Sequence, residues 1–423
     1  MSARGEGRVV AGAIDAGGVY SSRIAAGGGF VFLAGIAMDG MGRVPASAQP
    51  PEPYRTSEAA RARAQSRYAF ERLRELLPEV GSSTEEICQL EQYVKLKVHA
   101  DAYFAVAGDP ACIGKARPGG ATAQLAGYYP EDAAISFTGI AVAPEPGRGP
   151  AKTYPGERPE ISPTGLFSSL VAAGPYVFHT FFPTDNKTGV HPSARADAWH
   201  WRGSEIRSEV TFGAQQLAEK LAIAGVSLSD IVNYTLFLAD PSDLFEFDLA
   251  FAKALGPEAP SRIVVPARGF ANPRREGAFG HEENAERMEI QVRALLPASG
   301  AKKIVVDGPG AGYGYQSAGV RVDPLLWVSA QYADPALRGS AAREAADVLD
   351  KIATVCRNGG TDIANVLRVH ALVRRTEDAA TVYAALRTAI RRDPPVVSVI
   401  EAPVLPVADA SVVLDAVAYV PRD

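Results

Sequence analysis

Cysteine is scarce in this 423-residue sequence: Cys88, Cys112 and Cys356 are the whole complement. An odd count without a CxxC spacing indicates neither a disulfide framework nor a zinc knuckle. The thiols at 88 and 356 are read as free structural groups, and a reducing cytoplasm is the expected compartment. Long hydrophobic runs are missing too. None reaches the ~18–20 apolar residues that span a bilayer, and MSARGEGRVVAGAI at the N-terminus has no apolar stretch long enough for a secretion signal. Positive charge is not in excess: 43 Lys and Arg stand against 48 Asp and Glu, a net charge of −5, which argues against a phosphate-tracking nucleic-acid binder. There is no G-x-S-x-G and no HExxH. The string GPGAGYGY at 308–315 lacks the Gly-Lys-Ser/Thr ending of a phosphate loop and precedes a strand instead of a helix.

What the sequence does contain is repetition. RYAFERLRELLPEVGSSTEEICQLEQYVKLKV, TFGAQQLAEKLAIAGVSLSDIVNYTLFLAD and AADVLDKIATVCRNGGTDIANVLRVHALVRR share one pattern: amphipathic helix, Gly turn, β-branched strand. Gly81, Gly225 and Gly360 mark equivalent points. The period is domain-sized, so each copy is expected to hold its own core. Domains are read at 9–148, 160–298 and 302–423, with the Pro/Gly-rich PEPGRGPAKTYPGERPEISP as the first linker. Each copy reads as ββαβαββ: two opening strands, a long helix, a strand, a second helix and two closing strands. In the second copy the later elements fall near Asp243–Leu255 (helix), Arg262–Val265 and Met288–Leu295. The expected class is α+β. A sheet with helices on one face leaves the other uncovered, so three copies are expected to pack those faces around a central β-barrel as a pseudo-trimer.

The second copy, GVSLSDIVNYTLFLADPSDLFEFDLAFAKALGPEAPSRIVV, closely resembles the Rid family, also called YjgF or reactive intermediate deaminase, whose fold is chorismate-mutase-like. Pro260-Ser261-Arg262 stands at the family's P-x-R motif and Met288-Glu289-Ile290-Gln291 at its V-E-I-E. The resemblance is strong in the second copy, good in the third and weaker in the first. It implies clefts between units, an Arg that holds a substrate carboxylate, a Glu that helps place water, and a Tyr and a Ser lining the same cleft. It also implies hydrolysis of 2-imino or 2-enamine acids with no metal and no cofactor.

Carried over copy by copy, Arg262 and Glu289 match in the second copy, where Phe167 replaces the Tyr and His179 the Ser. The first copy keeps Tyr20 but has Gly120, Ser136 and Ala34 at the other positions. The third keeps Tyr315 and Ser329, with Val396 for the Arg and Val413 for the Glu. Asp415 falls at the motif's second, non-catalytic acidic position. The expectation is one surviving cleft around Arg262 and Glu289, completed by a neighbouring copy that the sequence does not identify; the third is favoured because it retains Tyr315 and Ser329. Catalytic roles are assigned to Glu289, His179, Tyr315 and Ser329, and substrate contacts to Arg262, Tyr20, Phe167, Thr180, Trp199 and Trp201. A histidine at that place can serve as an acid or a base near neutral pH, which a Ser cannot. Trp199 and Trp201 lie in one of two long insertions of the second copy, which read as binding loops. Arg274 and Arg275 read as solvated charge, and His281 with Glu282 and Glu283 is too small a set for a metal.

The expected function is hydrolysis of a C–N bond in a small carboxylate-bearing metabolite. The alternatives are a non-catalytic ligand-binding or regulatory protein and a chorismatase-like pathway hydrolase or lyase on the same fold. RNA cleavage is disfavoured by the acidic balance. The chain is expected to act as a monomer or a dimer of pseudo-trimers, with neither nucleic-acid nor membrane partners.

Overall fold

The computed structural model describes residues 8–144, 151–156, 165–185, 189–196, 204–270, 275–276, 282–283 and 286–421. In chain order the main elements are β1 (Val9–Ala16), β2 (Val19–Gly27), β3 (Phe30–Ile36), α1 (Glu58–Leu76), β4 (Ile87–Val94), α2 (Lys97–Ala107), β5 (Gly119–Gln124) and β6 (Ile135–Val142). There follow β7 (Leu170–Ala173), β8 (Tyr176–Phe181), α3 (Glu205–Ala222), β9 (Ile231–Leu238), α4 (Leu244–Leu255), β10 (Ser261–Pro266) and β11 (Met288–Leu295). The last are β12 (Gly319–Val322), β13 (Leu325–Tyr332), α5 (Ala341–Asn358), β14 (Val366–Val373), α6 (Ala379–Ala389), β15 (Val396–Glu401) and β16 (Val412–Tyr419). From β2 onward the order ββαβαββ recurs in each third of the chain, and β1 is an added strand antiparallel to β2.

The helix-to-strand corner is made the same way each time. Gly81, Gly225 and Gly360 carry φ of 74°, 69° and 81°, the left-handed conformation that glycine adopts without a Cβ penalty. The residue after each glycine donates back to the last helical turn: Ser82 N–H to Leu77, Val226 to Leu221 and Thr361 to Cys356. This closing bond satisfies an orphan helix carbonyl. The strand that follows is bulged at one equivalent place, between Ile87 and Gln89, Ile231 and Asn233, and Val366 and Arg368.

Strand order within each third is also the same: β5-β4-β6-β3-β2, β10-β9-β11-β8-β7 and β15-β14-β16-β13-β12. The outer pairs β4/β5, β9/β10 and β14/β15 are parallel. The first and last thirds join edge to edge at β2 and β15. Among the described residues both main sheets stay open, so the barrel expected from the sequence is not closed there by strand ladders. The inner faces pack against each other instead. Phe30 and Phe32, Tyr176 and Phe178, and Trp327 and Tyr419 share one core drawn from all three thirds. Trp327 lies edge-on to Tyr176 at 5.8 Å and to Phe32 at 6.2 Å, and its indole N–H donates to the Tyr176 hydroxyl. Each helix pair covers the opposite face of its own sheet.

Cys88 and Cys356 are buried on a strand and near a helix end, where burial pushes both thiols up to about 12. Among the described residues no helix is long and apolar enough to cross a membrane, and no group of three or more His, Cys, Asp or Glu side chains is arranged to hold a metal ion.

Candidate functional site

Three seams separate the thirds, and one hydrogen bond recurs at each. Ser168 N–H donates to the Pro118 carbonyl, Ser317 to Pro260, and Ser22 to Pro395, at 3.0, 3.1 and 2.9 Å. The bond fixes which residues are equivalent. Tyr20 and Tyr315 both stand two residues before the donor serine, and Leu166, not Phe167, holds that position in the second third. The β9/β10 and β14/β15 ladders pair Tyr234 with Arg262 and Val369 with Val397. Val397, not Val396, therefore corresponds to Arg262.

Arg262 lies at the seam between the second and third thirds and is 1% exposed. Its backbone N–H donates to Ser329 Oγ at 3.2 Å, and Ser329 donates in turn to the Ser317 carbonyl. The guanidinium points to the helix side of its sheet. Its cross-strand neighbour Tyr234, and Val292 in the next strand beyond it, belong to the core under α3 and α4. There all five N–H donors are engaged: Nε by Gln316, Nη1 by the Tyr234 hydroxyl and Asp248, and Nη2 by Asp248 (3.0 Å) and the Tyr313 carbonyl. Asp248, from α4, thus occupies the slot in which the sequence reading puts a substrate carboxylate. Tyr315 closes this arrangement with its N–H to Asp248 and its hydroxyl to the Gly256 carbonyl. The Gly308–Tyr315 segment lies over the pair, and a Cβ on Gly314 would fall 2.4 Å from Nη2.

Glu289 is elsewhere. Strand alternation puts Met288, Ile290, Val292 and Ala294 in the helix-side core and sends Glu289, Gln291 and Arg293 to the inner face. Arg262 and Glu289 therefore lie on opposite faces of one sheet, and the single cleft expected to hold both is not formed. The inner face of β11 abuts the first third. Gln291 donates to the Leu90 carbonyl at 2.7 Å, and the Thr122 main chain hydrogen-bonds the Glu289 carboxyl. Glu289 is 3% exposed. Burial first, and then the neighbouring Glu286, push its pKa well above the carboxylate range, a shift that favours the protonated form.

His179 is paired with Val292 and flanked by Val177 and Phe181 of the helix-side core, so it too faces away from Glu289. Its Nδ1 bonds the Ser169 carbonyl. Thr180, opposite Gln291, holds the ladder position that Ala34 has opposite Thr138. The residue on the inner face at this point is thus Thr180, one position beyond the His179 expected there. A Cβ on Gly119 would stand 3.6 Å from Thr180 Oγ1, and one on Gly120 would fall 2.4 Å from the Phe167 ring. Phe167 therefore fills, at the first seam, the space that belongs to a motif arginine. The short strand Gly269–Phe270 pairs with β5, so the second third covers that edge of the first. At the third seam the Tyr20 hydroxyl donates to the Ile390 carbonyl, beneath the Arg387 guanidinium.

The structure thus brings Arg262, Tyr315 and Ser329 together at one seam and Glu289, Thr180 and Phe167 at another. Tyr20 is apart from both, and His179 meets the first third through its carbonyl, which accepts from Gln89 Nε2, while its ring faces the helix side. Trp199, Trp201, Arg274 and His281 lie outside the described residues, as do the side chains of Arg275, Glu282 and Glu283. Two residues that the sequence reading missed are Asp248, which has no motif around it, and Thr122, which acts through its backbone.

No family model matches the chain. Over 104 residues, 24% of this chain and 75% of the relative, it is 26% identical to a RutC family protein of Pyrococcus horikoshii. Among solved structures, a chorismatase aligns over 79% of this chain and 93% of its own, with 14% identity and a TM-score of 0.47. RidA of an Antarctic Psychrobacter species aligns over 28% of this chain and 99% of its own, with 20% identity and a TM-score of 0.26. A YjgF/YER057c/UK114 family member of Mycobacterium tuberculosis aligns over 28% of this chain and 100% of its own, with 24% identity and a TM-score of 0.26.

Proposed function

We propose that the chain is three fused Rid-like units closed as a pseudo-trimer, and that it hydrolyses a C–N bond of a small molecule at the seam between its first and second thirds. The observation that carries this reading is Glu289, a buried carboxyl of the second third hydrogen-bonded by the main chain of the first. A carboxyl held neutral is a proton donor near pH 7. For an imine, Glu289 protonates the nitrogen while water adds to the carbon. One proton of the added water passes to the amine nitrogen, and the carboxylate then takes the proton of the remaining hydroxyl as ammonia leaves, which gives a carbonyl product and restores the acid. The Thr122 N–H orients the carboxyl, Thr180 presents a hydroxyl, and Phe167 supplies an apolar wall. Trp199 and Trp201 belong to an insertion of the same third and remain candidates to cover the substrate. The same acid would serve the C–O bond of an enol ether.

A second reading is a ligand-binding protein without turnover. It is favoured by the saturation of Arg262, whose five donors leave none for a substrate carboxylate. Ammonia release from freshly generated 2-aminoacrylate and iminopyruvate separates the two. Release above the solution rate, lost in Glu289→Gln, supports hydrolysis. Binding without release supports the second reading.

A further inference from the structure

Where the three inner faces meet, five ionisable side chains are sealed from water. Glu91 comes from the first third, Arg293 from the second, and Arg368, His370 and Asp415 from the third; each is at most 1% exposed. Arg293 Nη2 pairs with Glu91 Oε1 at 2.5 Å, His370 Nε2 lies 3.2 Å from Glu91 Oε2 and its Nδ1 3.5 Å from Asp415, and Arg368 pairs with Asp415 at 3.4 Å. Thr235 and Tyr93 donate their hydroxyls to Glu91. The aromatic shell is shared in the same way: the guanidinium of Arg293 lies over Trp327 and that of Arg368 over Phe32.

The three thirds contribute unlike residues to like positions. Glu91, Thr235 and His370 occupy one ladder position, opposite Thr138, Gln291 and Asp415. The first third brings a carboxylate and no cation, the second a guanidinium and no carboxylate, and the third both signs. Three first thirds meeting in this way would bury three Glu91 carboxylates, and three second thirds would bury three unpaired Arg293 guanidiniums. Isolated buried charges of one sign are prohibitive, whereas the mixed set is neutralised by direct pairs. Burial alone would raise the Glu91 carboxyl, but His370 and the two guanidiniums outweigh it and hold it well below the usual range.

We propose that this cluster is a sorting key: it makes a first, a second and a third unit close on one another and prevents like units from self-associating. The partner it fits is an unlike third, and the inference is independent of the chemistry at Glu289. A buried polar group of this kind specifies arrangement at the expense of stability.

The full-length chain tests it in two arms. In the first, the quintuple apolar variant (Glu91→Met, Arg293→Met, Arg368→Met, His370→Leu, Asp415→Leu) is refolded from denaturant as a mixture of two fluorescently labelled batches. The expected result is at least tenfold more mixed-label oligomer than for the wild type. Refolding as clean as that of the wild type overturns the key, and so does a variant that cannot fold. In the second, chains carrying Glu91→Arg and chains carrying Arg293→Glu are refolded separately and together. Mixed-label species only in the joint refolding, together with recovery of native folding in the Glu91→Arg/Arg293→Glu double variant, support it. Absence of mixed species overturns it.

Discussion

The carboxylate of Asp248 lies in a two-pronged pair with the guanidinium of Arg262, against the seam between the second and third thirds. The pair ties α4, the start of β10 and the Gly308–Tyr315 segment into one unit. Removing the guanidinium leaves Asp248 and the Tyr234 hydroxyl without their partner. Arg262→Ala is expected to destabilise the chain by about 3–5 kcal/mol, in the range for breaking a buried pair, measured by urea unfolding. Asp248→Asn keeps a hydrogen-bonding group and is expected to cost less.

Glu209 gives a prediction in pH. This α3 residue accepts the Arg287 backbone N–H with both carboxyl oxygens, yet burial, with Glu286 nearby, pushes its pKa up to about 8. A carboxyl whose folded pKa is raised contributes stability that is complete below its unfolded value of 4.5 and is lost as pH rises toward 8. The difference in unfolding free energy between wild type and Glu209→Gln is therefore expected to shift in favour of the variant from pH 5 to pH 8. Urea unfolding at several pH values checks this. A difference that does not change with pH contradicts it.

Gly120 gives a third test, of packing at the first seam. A methyl group there meets the Phe167 ring at 2.4 Å. Gly120→Ala is expected to destabilise by ~1–3 kcal/mol, as overpacking does. Phe167→Ala, added to it, is expected to return part of the loss. A double-mutant cycle measures the coupling.

Much of the fold is legible in the sequence because it is written locally. The helix–glycine–strand corner follows from the glycine conformation, and Met288–Leu295 forms the strand that its alternation of apolar and polar residues predicts. The same eight residues also state their two faces: Met, Ile, Val and Ala alternate with Glu, Gln and Arg. Which face meets another unit depends on strand pairing far along the chain, so the separation of Arg262 from Glu289 could not be read from spacing. The offset between His179 and Thr180 has a related cause. A shift of one residue along a strand exchanges its faces, so a motif aligned one position off assigns the wrong side chain to a cleft. Asp248 was illegible for a third reason, because its partner is fixed only when α4 packs over β10.

The most direct test of the account is the turnover of imine substrate by Glu289→Gln, compared with the wild type under identical conditions near pH 7. Glutamine keeps the size and polarity of the neutral acid but has no proton to deliver. The account predicts a fall in kcat of ~10²–10⁴-fold with thermal unfolding little changed. A Glu289→Gln protein that works at the wild-type rate contradicts it.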